Sequence, residues 1–188
     1  HNLQANVNLS NLPLQLIPQL HMKPELIDFL GSPIDTNITL ASKNGQIWEA
    51  VLSLHTPKIE LKGANFQIDK EAQLTKPVRV DLKLSKNCLN SLFKKQELSL
   101  AQSCDVQVLF KSMRFPLADP KSGNFRLETS VPSIEFPQLL AWGGLKIQDL
   151  ALTIDTLDLN HLAAKLEGQY ALLQRDGSPS PLLADPAR

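Results

Sequence analysis

Few residues in this chain combine the type and the spacing that chemistry requires. Beyond His1, the histidines are His21, His55 and His161, each able in principle to act as a general base or a metal ligand. Ligation needs further donors close by, and no second ligand follows any of them at a diagnostic spacing. His55 ends an alternating run beside Pro57 and is expected to be exposed and solvated. His161, among Leu159, Leu162 and Ala163, is expected to be a partly buried, hydrogen-bonded histidine. Ser10, Ser32 and Ser133 lie in no GxSxG elbow, and Gly143-Gly144 lacks the remaining residues of a phosphate-binding loop. Asp81, Glu97, Asp105 and Glu128 alternate with apolar residues, which places them on solvated strand faces. Acid–base pairing is spatial, and no spacing here favours it. Cys88 and Cys104 show neither CxxC nor Cys/His spacing; a bridge and two separate buried thiols both fit. The expectation is a protein that is not an enzyme and uses no cofactor and no metal.

Charge narrows the partners. Lys+Arg and Asp+Glu both number 19, so the 188-residue chain has a formal net charge of zero. Without a basic surplus there is no electrostatic footprint for nucleic acid or for an anionic membrane surface. Trp48 and Trp142 are the only indoles, too few for a platform that stacks single-stranded bases. Hydrophobic residues make up 43% and charged residues 20%, ordinary values for a globular chain. No apolar run approaches the ~20 residues of a membrane-spanning helix. His1 leads straight into an alternating Leu3, Ala5, Val7, Leu9, a first strand without a lead-in, so a fragment of a larger protein is expected.

The elements that would position side chains are mostly strands. From Leu9 to Leu54 a helical period (Leu14, Ile17, Leu20; Leu26, Ile27, Leu30), interrupted at Pro18 and Pro24, stops at Gly31. The period then changes to two. Ile34, Thr36, Ile38 and Leu40 point one way, Lys43-Asn44-Gly45 turns the chain, and Trp48, Ala50, Leu52 and Leu54 repeat the pattern. Ile59 and Leu61 follow, then a turn or bulge at Gly63-Ala64-Asn65 before Phe66 and Ile68, and a polar turn over Asp69–Gln73. Val78, Val80, Leu82 and Leu84 opposite Arg79, Asp81 and Lys83 form the cleanest half-buried strand. A short helix is expected over Cys88–Phe93, and strands at Glu97–Ala101, through Val106, Val108 and Phe110, and through Phe125, Leu127 and Thr129, with Ile134 and Phe136 continuing in the same manner. Pro137 is expected to start a short helix through Trp142 that Gly143-Gly144 ends. Leu150, Leu152 and Ile154 mark another strand. Leu157–Leu173 reads as a helix interrupted by Gly168 or as two strands, with strands favoured. A faint echo between SNLPLQLIPQL and PSIEFPQLLAWGGL is what a repeating strand–helix–strand unit would produce. Residues 1–175 are expected to form a single β-rich domain and residues 176–188 a Pro-rich tail or connection.

Eight to ten one-sided strands present a broad apolar face that three short helices cannot cover, so the face must be removed from water in another way. One solution folds the sheet onto itself as a sandwich whose apolar residues are ordinary core. The other curls it into a trough whose inner wall holds an acyl chain. Periodicity does not separate the two.

The order of LSNLPLQLIPQL, IDFLGSPIDTNITL and LTKPVRVDLKLSKNCLNSLF, with PKSGNFRLETSVPSIEF a weaker match, resembles the AsmA-like family of bacterial envelope proteins over most of residues 3–136. That family is similar to the bridge-like lipid-transfer proteins, long taco-shaped β structures with an apolar groove. The resemblance implies a mainly β (α+β) fold, a curved antiparallel sheet with a few short amphipathic helices forming a groove or half-barrel. It implies a non-catalytic, periplasmic segment that binds or transfers phospholipid acyl chains, reaches the inner membrane through an anchor outside this sequence, and has room for a protein partner in the envelope. Trp48, Phe66, Val80, Leu82, Val108 and Phe110 are the residues expected on the lipid-facing wall. The alternatives carried alongside are a protein-binding or adhesin-like β-sandwich module and an assembly scaffold that uses the same surface.

Overall fold

The computed structural model describes residues 2–14, 27, 29–42, 45, 47–86, 100–140, 143–158, 161–174 and 178. Ten strands run through them: β1 (Leu3–Leu12), β2 (Ile34–Ser42), β3 (Trp48–His55), β4 (Ile59–Ile68), β5 (Glu71–Leu74), β6 (Val78–Leu84), β7 (Cys104–Pro116), β8 (Asn124–Leu140), β9 (Gly143–Asp158) and β10 (His161–Leu173). Every pairing is antiparallel, and all ten strands belong to one sheet. The spatial order follows the chain, and apart from β5 and β6 each strand pairs with its sequence neighbours, the arrangement that short connections and two-residue alternation produce most directly.

One place in the sheet is shared. β5 pairs with the far end of β4 and of β7, while β6 pairs with their other ends, so the two are halves of a single strand interrupted at Thr75-Lys76-Pro77. Proline has no N–H to give to a ladder, and the break falls where it sits. β4 answers with an irregularity of its own between Leu61 and Ala64, at Gly63, where the sequence suggested a turn or bulge.

The apolar alternation becomes one continuous face. Side chains of directly opposed residues lie on the same side of a sheet. Following the register, Leu40, Ala50, Phe66 and Leu74 share one face, as do Leu61, Val80, Val108 and Thr129. Two clusters form on it. Ala64, Leu74 and Val78 are buried with Leu52, Leu61, Phe66, Phe110 and Met113 packed around them. Val106, Val131, Ile134 and Leu100 form the second, joined by Phe29, Leu82, Leu84, Val108, Phe136, Ile147 and Leu150.

Both long connections, 13–33 and 85–103, leave the sheet at the same end, because an antiparallel order returns β1 to β2 and β6 to β7 on one side. Among their described residues, Phe29 and Leu100 reach the second cluster, the latter only 1% exposed. Thr56 fixes the first connection. Its hydroxyl donates to the Leu30 carbonyl at 2.6 Å and accepts the amides of Lys58 and Ile59 at 3.1 and 2.9 Å. Gly31 sits against it with φ +81°, donating to the Ile27 carbonyl at 2.9 Å. A side chain there would crowd the Thr56 hydroxyl and the Lys58 stem.

Several expectations change. Pro137 does not start a helix: residues 137–140 continue β8, and Leu140 pairs with Gly143. Pairing with β9 on either side of an irregularity between Phe136 and Leu140 keeps the stretch in the sheet and overrides the proline and apolar signals that favour a helix. Gly143 and Gly144 open β9 rather than closing a helix, because backbone carbonyls of Leu173 and of Phe136 and Pro137 press where a Cβ would stand. The second half of the internal echo is therefore plain hairpin, without a strand–helix–strand unit. Asp69–Gln73 is a turn only at Asp69-Lys70, after which Glu71–Leu74 forms β5. Leu100 and Ala101 lie outside any strand, with Ala101 donating to the Glu135 carbonyl at 2.8 Å. His161–Leu173 is a single strand. Of the expected helices, Leu14 lies in a 3-10 turn, and Ile27, Phe29 and Leu30 are helical. The stretch 15–26, the Cys88–Phe93 helix, residues 97–99 and the tail beyond Ser178 fall outside the described residues.

Candidate functional site

The six residues singled out for an apolar wall all lie on the apolar face. Trp48 opposes Ile68 and Phe66 opposes Ala50 and Leu74. Val80 stands between Leu61 and Val108, and Leu82 between Ile59 and Val106. Phe110 opposes Val78 and Leu127. All six are half-buried: their flanks are covered by cross-strand neighbours while part of each side chain remains open. Leu74, Val78 and Val106 beside them are sealed at 7–8% exposure. The structure thus gathers the predicted residues in the central strands β3 to β7, with Phe29 and Leu100 lying against the same face at one end.

Sequence reasoning missed the extent of this face. At the outer strands the apolar side chains are open: Leu3, Val7 and Leu9 on β1, and Leu162, Leu166 and Tyr170 on β10, are each 42–66% exposed. Alternation in β1 was visible. In Leu157–Leu173 strands were favoured over a helix interrupted by Gly168, and the apolar alternation of Leu162, Leu166 and Tyr170 along one of them was not singled out. Missed as well was a change of phase in β8 and β9. Val131 and Ile134, an odd and an even position, are buried in one cluster, and across from them Leu150 and Ile147, half-buried, pack against it. Asp149, at φ +49°, absorbs the change in β9. Ile134 and Phe136 therefore join the apolar face by a shifted frame, not by continuing the alternation of Phe125, Leu127 and Thr129.

The opposite face is polar and ionic. Lys62–Glu60, Arg79–Asp81, Lys111–Glu128, Arg114–Glu71 and Lys165–Glu167 pair on it at 2.5–3.0 Å. An open depression of about 300 Å³ there is lined by His55, Glu60, Arg79, Asp81, Lys83 and Asp105. Charges of both signs alternate around it, and Arg79 is held by Asp81 at 2.7 Å. Among the described residues no group of three or more His, Cys, Asp or Glu side chains converges. His161 is exposed, contrary to the expectation of a partly buried ring. Its Nδ1 lies 2.8–2.9 Å from the carboxylate of Asp158, the last residue of β9. Asp81, Asp105 and Glu128 stand on the polar face, while Cys88 and Glu97 lie outside the described residues.

What this arrangement can do follows from its two faces. The polar face is solvated and internally neutralised. The apolar face offers a wide surface without charge, suited to hydrocarbon rather than to a polar substrate. Among the described residues no helix is long and apolar enough to cross a membrane. No family model matches the chain, and neither the curated proteins nor the solved structures contain a match.

Proposed function

We propose that this chain is a non-catalytic segment of a bacterial envelope protein that shelters phospholipid acyl chains on the apolar face of its sheet. The observation that carries the reading is a one-sided face crossing every strand, on which Trp48, Phe66, Val80, Leu82, Val108 and Phe110 stay half-open. In this reading the sheet curls into a trough, with Phe29 and Leu100 at one end. The resemblance to AsmA-like proteins supports the same role and adds a periplasmic place and an inner-membrane anchor outside this sequence.

The mechanism is passive. Each acyl methylene removed from water contributes ~0.8 kcal/mol, and many equivalent apolar positions let a chain slide without one deep trap. The headgroup remains at the rim in water, so the face selects for hydrocarbon and not for headgroup chemistry.

Purification without detergent, followed by native mass spectrometry and lipid extraction, tests the proposal. Phospholipid is expected to co-purify, and Val80→Asp or Val108→Asp is expected to lower the amount several-fold while Glu128→Gln, on the other face, leaves it unchanged. A lipid-free mass, together with no uptake of a fluorescent phospholipid from vesicles, would end the lipid reading and leave the protein-binding module in its place.

A further inference from the structure

The two outermost strands, β1 and β10, each turn a row of backbone N–H and C=O groups outward, away from any described strand. Such edges are ordinarily protected by proline, by a bulge or by charge pointing into the seam. β10 has no proline and keeps its alternation through Gly168, since the extra residue at that level belongs to β9. Its apolar side presents Leu162, Leu166 and Tyr170, 60%, 65% and 66% exposed. Its polar side presents Lys165 and Glu167, 2.9 Å apart and largely exposed.

We infer that β10 is a seam between two copies of this chain, which pair antiparallel through it about a two-fold axis at Leu166. In that register Leu166 faces Leu166 of the second copy, Leu162 faces Tyr170, and Ala164 faces Gly168, all on the apolar side. On the polar side Lys165 faces Glu167, twice by symmetry. The charges select this register over its neighbours. Slipping one way sets Lys165 against Lys165, and slipping the other sets Glu167 against Glu167. A shift by a single residue turns the apolar side chains of one copy to the wrong face. β1 lacks this discrimination, because LQANVNLSNL carries no charge and pairs with itself equally well in several registers. The pairing joins two ten-stranded sheets with their apolar faces on the same side, and it holds whether or not those faces carry lipid.

Analytical ultracentrifugation of the full chain over a range of concentrations tests the seam, with lipid content measured on the same samples. A reversible monomer–dimer equilibrium is expected. K165E and E167K, each placing like charges opposite one another at two positions, are expected to raise the dissociation constant about tenfold. The double variant K165E/E167K restores the opposition and returns the constant close to the starting value. Oxidised L166C is expected to yield a peptide linked 166 to 166, whereas V7C on the other edge yields no such symmetric link. All four positions are exposed, and circular dichroism checks that each variant keeps its strands. A chain that stays monomeric throughout, a double variant as weak as the singles, or linkage at 7 in place of 166 would overturn the seam.

Discussion

Thr56 shows how a single hydroxyl holds a connection against the sheet. It is 3% exposed and serves three backbone groups, the Leu30 carbonyl and the amides of Lys58 and Ile59. Thr56→Val keeps the volume and leaves those groups without their partner, so a loss of ~1–3 kcal/mol is expected in chemical denaturation at an unchanged slope, while Thr56→Ser keeps most of it. Leu100 plays the apolar counterpart. Truncation to alanine opens space among Val106, Val131 and Ile134 and is expected to destabilise by ~2–5 kcal/mol. The ion pairs of the polar face have far less leverage. Arg79 is 55% exposed beside Asp81, and Arg79→Ala is expected to change stability by less than ~1 kcal/mol. The end of the alternating run at His55, just before Thr56, was legible. The partner that the Thr56 hydroxyl meets was not, because Leu30 lies 26 residues earlier and only the return of the chain brings it near.

At the scale of elements, the β8–β9 hairpin is where local signals and tertiary pairing disagree. Pro137, the apolar residues after it and two glycines look like a capped helix, yet pairing with β9 resumes at Leu140 and Gly143 beyond an irregularity that starts after Phe136. Gly144 is there because the carbonyls of Phe136 and Pro137 leave no room for a side chain. Gly144→Val is therefore expected to unzip this end of the hairpin. Hydrogen exchange would then quicken in residues 134–140 and 143–147 while β1 to β3 keep their protection. A helix at 137–142 would instead tolerate the substitution with a loss near that of ordinary β-branching. The strands with the plainest alternation, β3, β6 and the first half of β7, were legible residue by residue, since a half-buried strand writes its two faces directly into the sequence. The phase change at Val131/Ile134 was not, because a bulge depends on the partner strand that absorbs it.

For the whole molecule, the division of charge between faces sets what a ligand feels. The apolar face is built from uncharged side chains, and the chain as a whole has a net charge of zero. Uptake of a zwitterionic phospholipid is thus expected to stay within about twofold between low and physiological salt, where an electrostatic surface site would weaken markedly. Vesicle-transfer measurements at the two salt concentrations check this. An antiparallel sheet with one solvated and one apolar face is a common design; here the apolar side remains half-open in the centre and open at both outer strands.

The sequence by itself determined that the chain is mainly β, which residues share the apolar face of each regular strand, and where most turns fall. These are local properties: alternation and turn chemistry act over a few residues and need no distant partner. Tertiary structure alone decided that all strands join one sheet in chain order, that β5 and β6 share one place in it, and that the helix signal at Pro137 yields to a ladder. It also decided that β1 and β10 end the sheet with their apolar side chains uncovered. Those outcomes depend on which backbone groups find partners across the sheet, and periodicity along a single strand carries no information about its neighbours.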